Sequence, residues 1–499
     1  MTAAALAQAF AMVFDPTTIV VMIIASLYGL FVGAVPGLSA TMAVALLVPV
    51  TFFMAPIPAI AAMVTATAMA IFSGDIPGCL LRIPGTPASA AYTDEAFAMT
   101  RKGQAEVALG AGLVFSAVGG LFGTAVLIVA SPALAEFALN FSSFEYFWLV
   151  LLGLTCAVFI TSDRPLKGLV TLLLGLLVAC VGLGNPAGFP RFTFGNTEMT
   201  GGIGMIPMMI GMFAISEVIR YAVDTLPPGE LVVEKVGGVL KGQWALAKKY
   251  PVQILRGSTL GTAVGALPGA GADIAAWMSY AMSKKFSKEP EKFGTGHVEG
   301  IVESGSANNS ALAGAWIPAL VFGIPGDSIT AIVIGVLYMK NLNPGPTLFT
   351  TNPQNIYAVF MLFIIANIIM IPLGILCIKV AKRILKVPRN VLMPIILLFC
   401  IVGTFAINNS TFDIGVMLTA GVLAWLLEEN GFPIAPAILG VVLGGMLEEN
   451  FITSMIKSDG SLLAFATRPI ASGLAVVTLL VWFTPLVRAL LRRRRAVAA

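Results

Sequence analysis

The chain has 499 residues, 58% of them hydrophobic and 11% charged, with a mean hydropathy of +0.93 and a formal net charge of +4. A soluble domain carries about 25% charged residues, so the composition excludes a water-facing surface over this length and makes lipid the main solvent. A spanning helix needs about 20 mostly apolar residues, which allows on the order of ten to fourteen crossings.

At the N-terminus, MTAAALAQAFAMVF lacks the basic segment of a cleaved signal peptide, and Thr18–Phe31 reads as part of a retained first span. Apolar stretches follow near 17–35, 39–55, 57–73, 105–130, 144–161, 165–184 and 200–222. A polar, basic segment at 225–250 interrupts them, and further stretches lie near 252–268, 270–283, 306–322, 327–339, 354–378, 389–407, 412–427, 433–447 and 470–490. Basic residues gather at Lys235–Arg256, Lys284–Lys292, Lys379–Arg389 and Arg492–Arg495, which mark the cytoplasmic side. This gives four regions: a first transmembrane repeat at 17–223, a cytoplasmic linker at 224–250, a second repeat at 251–456, and a C-terminal helix with a basic tail at 457–499.

Repetition is the main signal. Gly29-x3-Gly33-x2-Pro36-Gly37 returns as Gly261-x3-Gly265-x2-Pro268-Gly269 at a spacing of 232 residues. Ile76-Pro77-x5-Ile83-Pro84-Gly85 returns as Ile317-Pro318-x5-Ile324-Pro325-Gly326 at a spacing of 241. The difference of nine is the extra polar loop around Lys284–Gly296. Pro207-x3-Gly211 pairs more loosely with Pro436-x3-Gly440. Duplicated apolar segments broken by glycine and proline are a sequence pointer to a secondary transporter. Irregular backbone at membrane depth survives only where it lines a protein-walled cavity. The expected fold is therefore all-α and polytopic, with two internal repeats, broken helices and re-entrant hairpins. The repeats are taken as inverted, which requires an odd number of crossings in each and is left open by span counting.

Three motifs carry the candidate chemistry. In VPGLSAT and LPGAGAD, each Pro-Gly begins a fresh half-helix whose free amides suit a carboxylate, with Pro36, Gly37, Ser39, Thr41, Gly269 and Gly271 as candidate substrate contacts. Close helix contact through Gly29/Gly33 and Gly261/Gly265 is the competing explanation. In IPGTPASAA and IPGDSITAI, Gly85, Thr86 and Ser89 match Gly326, Asp327 and Thr330, with Ser328 beside them, as hydroxyl-bearing hairpin tips. A surface turn would explain the Pro-Gly but not the paired polar groups. In SGSANNSALAGA, Asn308 and Asn309 offer both amide donors and carbonyl oxygens, and structural asparagines joining helices are the alternative.

Candidate cation-coupling residues are Thr65, Thr67, Asp273, Ser306, Asn308 and Asp327, where Ser306 and Asn308 fall 241 residues after Thr65 and Thr67. A charge at the bilayer centre costs roughly 2.5–3.5 kcal/mol on insertion scales, so Asp75, Arg82, Asp273, Glu299, Glu303 and Asp327 are each notable. Arg82 reads equally as an anion contact or an interfacial side chain. The one histidine, His297, is expected to be solvated, and the cysteines Cys79, Cys156, Cys180, Cys377 and Cys400 read as small hydrophobes. Walker A, HExxH and GxSxG patterns are missing, so the motifs give no support to an enzyme.

These residues resemble the large, many-spanning subunit of the tripartite tricarboxylate transporter family. The likeness runs through GLFVGAVPGLSATMAVALLVPVTF, RIPGTPASAA with RKGQAEVALG, GALPGAGADIAAWMSYAMSKK, SANNSALAGAWIPALVFGIPGD, the NPGP of Asn343–Pro346, and LEENF with TRPI near the end. It implies an inner-membrane permease, with no cofactor beyond a coupling Na⁺ or H⁺, that imports citrate or related carboxylates. The implied partners are a small four-span membrane subunit and a periplasmic solute-binding protein, and the implied motion is that of an elevator. A stand-alone carboxylate symporter of the same architecture is the alternative. Two departures bear on substrate: IFSGDIPGCLLR precedes the first hairpin, and Asp327 stands where a neutral small residue is expected.

Overall fold

A computed structural model describes residues 3–161, 165–184, 188–223, 238–385 and 389–482. The basic tail at Arg492–Arg495 and most of the 224–250 segment lie outside the described residues. Among those described the fold is all helical, with one isolated bridge between Gly182 and Arg191 and no strand.

Among the described residues, eight helices are long and apolar enough to cross a membrane by length and composition, from Pro16–Ala34 to Ala435–Lys457. Six shorter apolar helices lie beside them among the described residues, two of which, Ala40–Phe52 and Ser328–Met339, follow Pro-Gly breaks. The Val298–Phe322 helix is long but too polar to qualify, and nearly all of it is buried. Such a helix is stable in lipid only when apolar neighbours enclose it.

The chain divides into two compact units. One comprises 1–136 and 206–426, and so takes chain from both sides of the 224–250 segment. Its helix pairs are set by glycine. Pro16–Ala34 packs on Pro56–Ser73, where a Cβ on Gly29 would lie 2.3 Å from the Ala66 carbonyl oxygen and one on Gly33 2.4 Å from that of Ala70. Pro251–Gly265 packs on Val298–Phe322 in the same manner, Gly261 against Ala307 and Gly265 against Ala311, each at 2.2 Å. Small residues are what let backbones approach this closely.

The second unit, 137–205 and 427–499, is built on Ser143–Thr161, Pro165–Ala179 and Ala435–Lys457. Arg191 makes a bidentate ion pair with Glu448 at 2.6 and 2.8 Å, and Arg468 meets Glu145 at 2.6 Å. The loosely matched Pro207-x3-Gly211 and Pro436-x3-Gly440 fall in different units, with Gly211 closing on Met417 and Gly440 on Leu172.

Helix ends show the same pairing. Arg82 and Gly323 both close their helices in the left-handed region, at φ 58° and 69°. The amides follow suit: Arg82 and Ile83 donate to Gly78 and Pro77, while Gly323 and Ile324 donate to Ala319 and Pro318. Such a cap favours glycine, and an L side chain there costs roughly 1–2 kcal/mol. The Arg82 side chain is exposed and meets Asp94 at 2.9 Å. An exposed pair of this kind contributes about 0–1 kcal/mol. Arg82→Gly is therefore expected to raise stability in detergent by up to about 1 kcal/mol, whereas Asp94→Ala changes it by less than about 0.5 kcal/mol. Thermal melts of the two variants check this.

Candidate functional site

The first broken helix runs from Pro16–Ala34 to Ala40–Phe52. Between them Leu38 donates to Val35 across Pro36-Gly37 at 3.2 Å, with Gly37 at φ 87°. The second runs from Pro251–Gly265 to Gly271–Phe286, where Ala270 donates to Leu267 across Pro268-Gly269 at 3.1 Å, with Gly269 at φ 82°. Proline at the second position and a left-handed third residue define a type II turn, which is why the third residue is glycine in both.

Both hairpin tips seat on these breaks. A Cβ on Gly85 would lie 2.7 Å from Gly74 Cα and 2.8 Å from the Gly33 carbonyl oxygen. One on Gly326 would lie 2.5 Å from the Gly265 carbonyl oxygen and 2.8 Å from Ala315 Cα. Gly85 donates to Gly74 at 3.0 Å, and Gly269 donates to Gly326 at 2.8 Å. The seating is also reciprocal. The first tip lies on the second break, with Trp277 Nε1 donating to the Pro87 carbonyl at 3.2 Å and the Ala88 amide facing Asp273. The second tip continues into Ser328–Met339, which packs on Ala40–Phe52 of the first break. The four Pro-Gly steps thus converge instead of scattering over outer loops.

Polar side chains at the tips are engaged locally. Thr86 and Ser89 bond reciprocally, with the Thr86 amide on Ser89 Oγ and the Ser89 amide on Thr86 Oγ1, both at 3.1 Å. Asp327 and Thr330 form the matching capping box, at 2.8 and 2.9 Å. Each satisfies the first amides of the helix that follows. Ser39 caps Ala40–Phe52 through the Met42 amide at 3.1 Å, while Thr41 and Ser328 are half-buried. By contrast, Gly271–Phe286 has no side-chain cap, so its first amides are left for another partner. Asp273 lies in that first turn, exposed, with the Asp327 carboxylate among its charged neighbours; Gly271, buried, sits against Asp327 Cβ.

Thr65, Thr67 and Ser306 bond back to their own helices, at the carbonyls of Ala61, Met63 and Val302. Asn309 is buried and directs Nδ2 to the Ala68 carbonyl at 3.4 Å, and its Oδ1 has no partner. Asn308 is fully buried; its Nδ2 lies 3.4 Å from the Tyr92 hydroxyl, and its Oδ1 is also unpartnered.

Other charges turn out to be paired. Glu303 holds Arg256 through two bonds of 2.5 and 2.6 Å, and Glu299 accepts from Gln253 and Ser287. His297, expected to be solvated, is instead largely enclosed, with Nε2 3.1 Å from Glu299 and its ring on Phe293. The five cysteines are free thiols. In the exposed loop beyond Gly271–Phe286, the Lys292 ammonium beside Glu289 lowers that carboxyl from its ordinary range.

Two features escaped the sequence. Tyr92 belongs to none of the motifs singled out above, yet its hydroxyl donates to Asp75 at 2.6 Å. Glu95 is likewise outside the motifs and the notable charges above, yet it is fully buried and gathers the Tyr280 hydroxyl and the amides of Gly294, Gly296 and His297.

A family model described as the tripartite tricarboxylate transporter TctA family matches residues 19–439. An uncharacterized 52.8 kDa protein in the TAR-I ttuC' 3' region of Agrobacterium vitis is 33% identical over 474 residues, covering 95% of this chain and 94% of that protein. An uncharacterized protein in the TAR-II ttuC' 3' region of the same organism is 35% identical over 231 residues, covering 46% of this chain and 96% of that protein. No solved structure matches.

Proposed function

Because the chain belongs to the tripartite tricarboxylate transporter TctA family, a family of multi-pass membrane transporters, we propose that it is the large permease subunit of a cation-coupled importer of tricarboxylates or related carboxylates. It works in the bacterial inner membrane with a small four-span subunit and a periplasmic solute-binding protein. The observation that carries this reading is the convergence of two Pro-Gly breaks and two hairpin tips in one unit, each tip seated on a break. The spacings of 232 and 241 residues that relate Gly33 to Gly265 and Gly85 to Gly326 also relate Gly29 to Gly261, Ala66 to Ala307 and Arg82 to Gly323. The same contacts are made twice, and this supports an internal duplication.

The uncapped amides at the start of Gly271–Phe286, with the Pro36-Gly37 and Pro268-Gly269 turns, hold the substrate carboxylates. Asn308, Asn309 and the tip residues complete the grip, and Ser, Thr, Asn and Asp oxygens serve the coupling cation. In this reading the hairpin-bearing part moves against a fixed scaffold. Cation coupling is required on energetic grounds: an interior-negative potential opposes anion entry by about 2.3 kcal/mol per charge per 100 mV.

Citrate uptake in cells that express the chain with its two partners tests the proposal. Uptake is expected to need an inward Na⁺ or H⁺ gradient and to lose its high-affinity component when the binding protein is deleted. Conductance without ion coupling would reject the carrier reading, and undiminished uptake without the binding protein would favour a stand-alone symporter.

A further inference from the structure

Asp75 opens the Asp75–Leu81 helix and is 6% exposed. Its Oδ1 accepts from the Tyr92 hydroxyl at 2.6 Å, and Asn308 Nδ2 donates to that hydroxyl at 3.4 Å. Tyr92 and Asn308 are themselves 2% and 0% exposed. The direction of donation is fixed along this chain, from amide to phenol to carboxylate. At its two ends Asp75 Oδ2 and Asn308 Oδ1 have no hydrogen-bond partner. The ion pairs among the described residues do not include Asp75. On its far side Oδ2 faces Gly112 of the Ala105–Ala138 helix, where a Cβ would lie 2.9 Å away.

A carboxylate buried with one donor and no counter-charge is costly, and neutralisation relieves that cost. Two ligands are available in principle. A hard metal cation takes on the order of six oxygens, whereas the Asp75–Tyr92–Asn308 trio leaves two without a partner, Asp75 Oδ2 and Asn308 Oδ1. A proton needs a single oxygen, and Oδ2 supplies it. Tyr92 is the titratable group that faces the carboxylate; Gly112 faces it from the Ala105–Ala138 helix, and Asn308 reaches it from Val298–Phe322 through Tyr92.

We propose that Asp75 is the residue that takes up and releases the coupling proton, with Tyr92 and Asn308 as positioning residues. The proposal rests on the cation-coupled reading above and selects H⁺ within it. Proton uptake forms an O–H bond at Oδ2 and discharges the carboxylate; release restores the charge, and no other bond changes. The adjacent residue, Gly74, accepts the Gly85 amide at the first hairpin tip, so the charge at Asp75 sits one residue from the seat of that tip.

Infrared pH titration of the purified protein, without substrate, tests this directly. Wild type is expected to show a buried protonated-carboxyl band that titrates within about pH 4–9, and Asp75→Asn to lack it. Tyr92→Phe shifts the midpoint of that band without removing it, which a merely structural tyrosine would not do. No difference between wild type and Asp75→Asn would overturn the proposal, as would loss of the band on adding NaCl at constant pH, the mark of a metal site. In proteoliposomes with citrate as probe, Asp75→Asn should lose roughly tenfold or more of gradient-driven uptake while keeping citrate–citrate exchange within about twofold. Equal loss of both would also overturn it. If wild type moves no citrate, the transport reading fails alone, and the infrared result still decides the role of Asp75.

Discussion

Citrate uptake is expected to be abolished in Asn308→Ala and in Asp273→Ala, with membrane expression retained in both. Asn308 is fully buried in the proposed grip, with its Oδ1 unpartnered. Truncation to alanine removes one long hydrogen bond to Tyr92, whose hydroxyl keeps its bond to Asp75. A neutral hydrogen bond contributes about 0.5–1.5 kcal/mol, too little to prevent folding, so lost uptake would report on function. Asp273 is exposed in the first turn of an uncapped half-helix, and its loss strips charge from the break without opening the core. Quantitative immunoblots of membranes alongside labelled-citrate uptake separate the two effects. Wild-type uptake in both variants would reject these assignments.

The largest expected effect on stability belongs to Glu95→Ala. Its carboxylate accepts from the Tyr280 hydroxyl at 2.8 Å, from the amides of Gly296 and His297 at 2.7 Å, and from that of Gly294. Lys102 adds a bond to the Thr295 carbonyl at 2.6 Å, so the helix after the first hairpin clasps the polar loop of the second half. Hydrogen bonds to a charged group contribute about 1.5–3 kcal/mol each. Part of this returns in the variant, because Gly294 and Thr295 are exposed and their backbone can turn to water. The net loss is expected near 3 kcal/mol, which in a unit of this size is a fall in melting temperature of roughly 3–4 °C. Glu95→Gln, which keeps an acceptor oxygen but adds two competing donors, should fall between alanine and wild type. Limited proteolysis should cut the loop faster in the alanine variant, and a melt within about 1 °C of wild type would show that the clasp contributes little.

The contrast between these two sites shows what a sequence exposes. Asn308 announced itself, because asparagines inside an apolar run are conspicuous where every polar group is costly. Glu95 did not, because TDEAFAMTR has the pattern of a short solvated helix, and its partners lie about 200 residues away. Tyr92 was hidden for a similar reason: its hydroxyl is invisible in a pattern of apolar positions, and its bond to Asn308 spans 216 residues. Thr86, Ser89, Asp327 and Thr330 were legible as paired polar positions, but the capping geometry that engages them appears only once the turns are built.

By itself, the sequence determined that lipid is the solvent, where helices break, and that the breaks occur twice at two fixed spacings. These follow from forces that act over a few residues: the missing amide of proline, the left-handed freedom of Gly37 and Gly269, and the cost of polar groups in hydrocarbon. Tertiary structure alone decided that each hairpin tip rests on a break, that the first tip meets the second half-helix, and that Asp75 finds Tyr92 and Asn308. Those choices depend on which helices meet, and a buried polar atom must accept whatever partner the neighbouring backbone brings within about 3 Å.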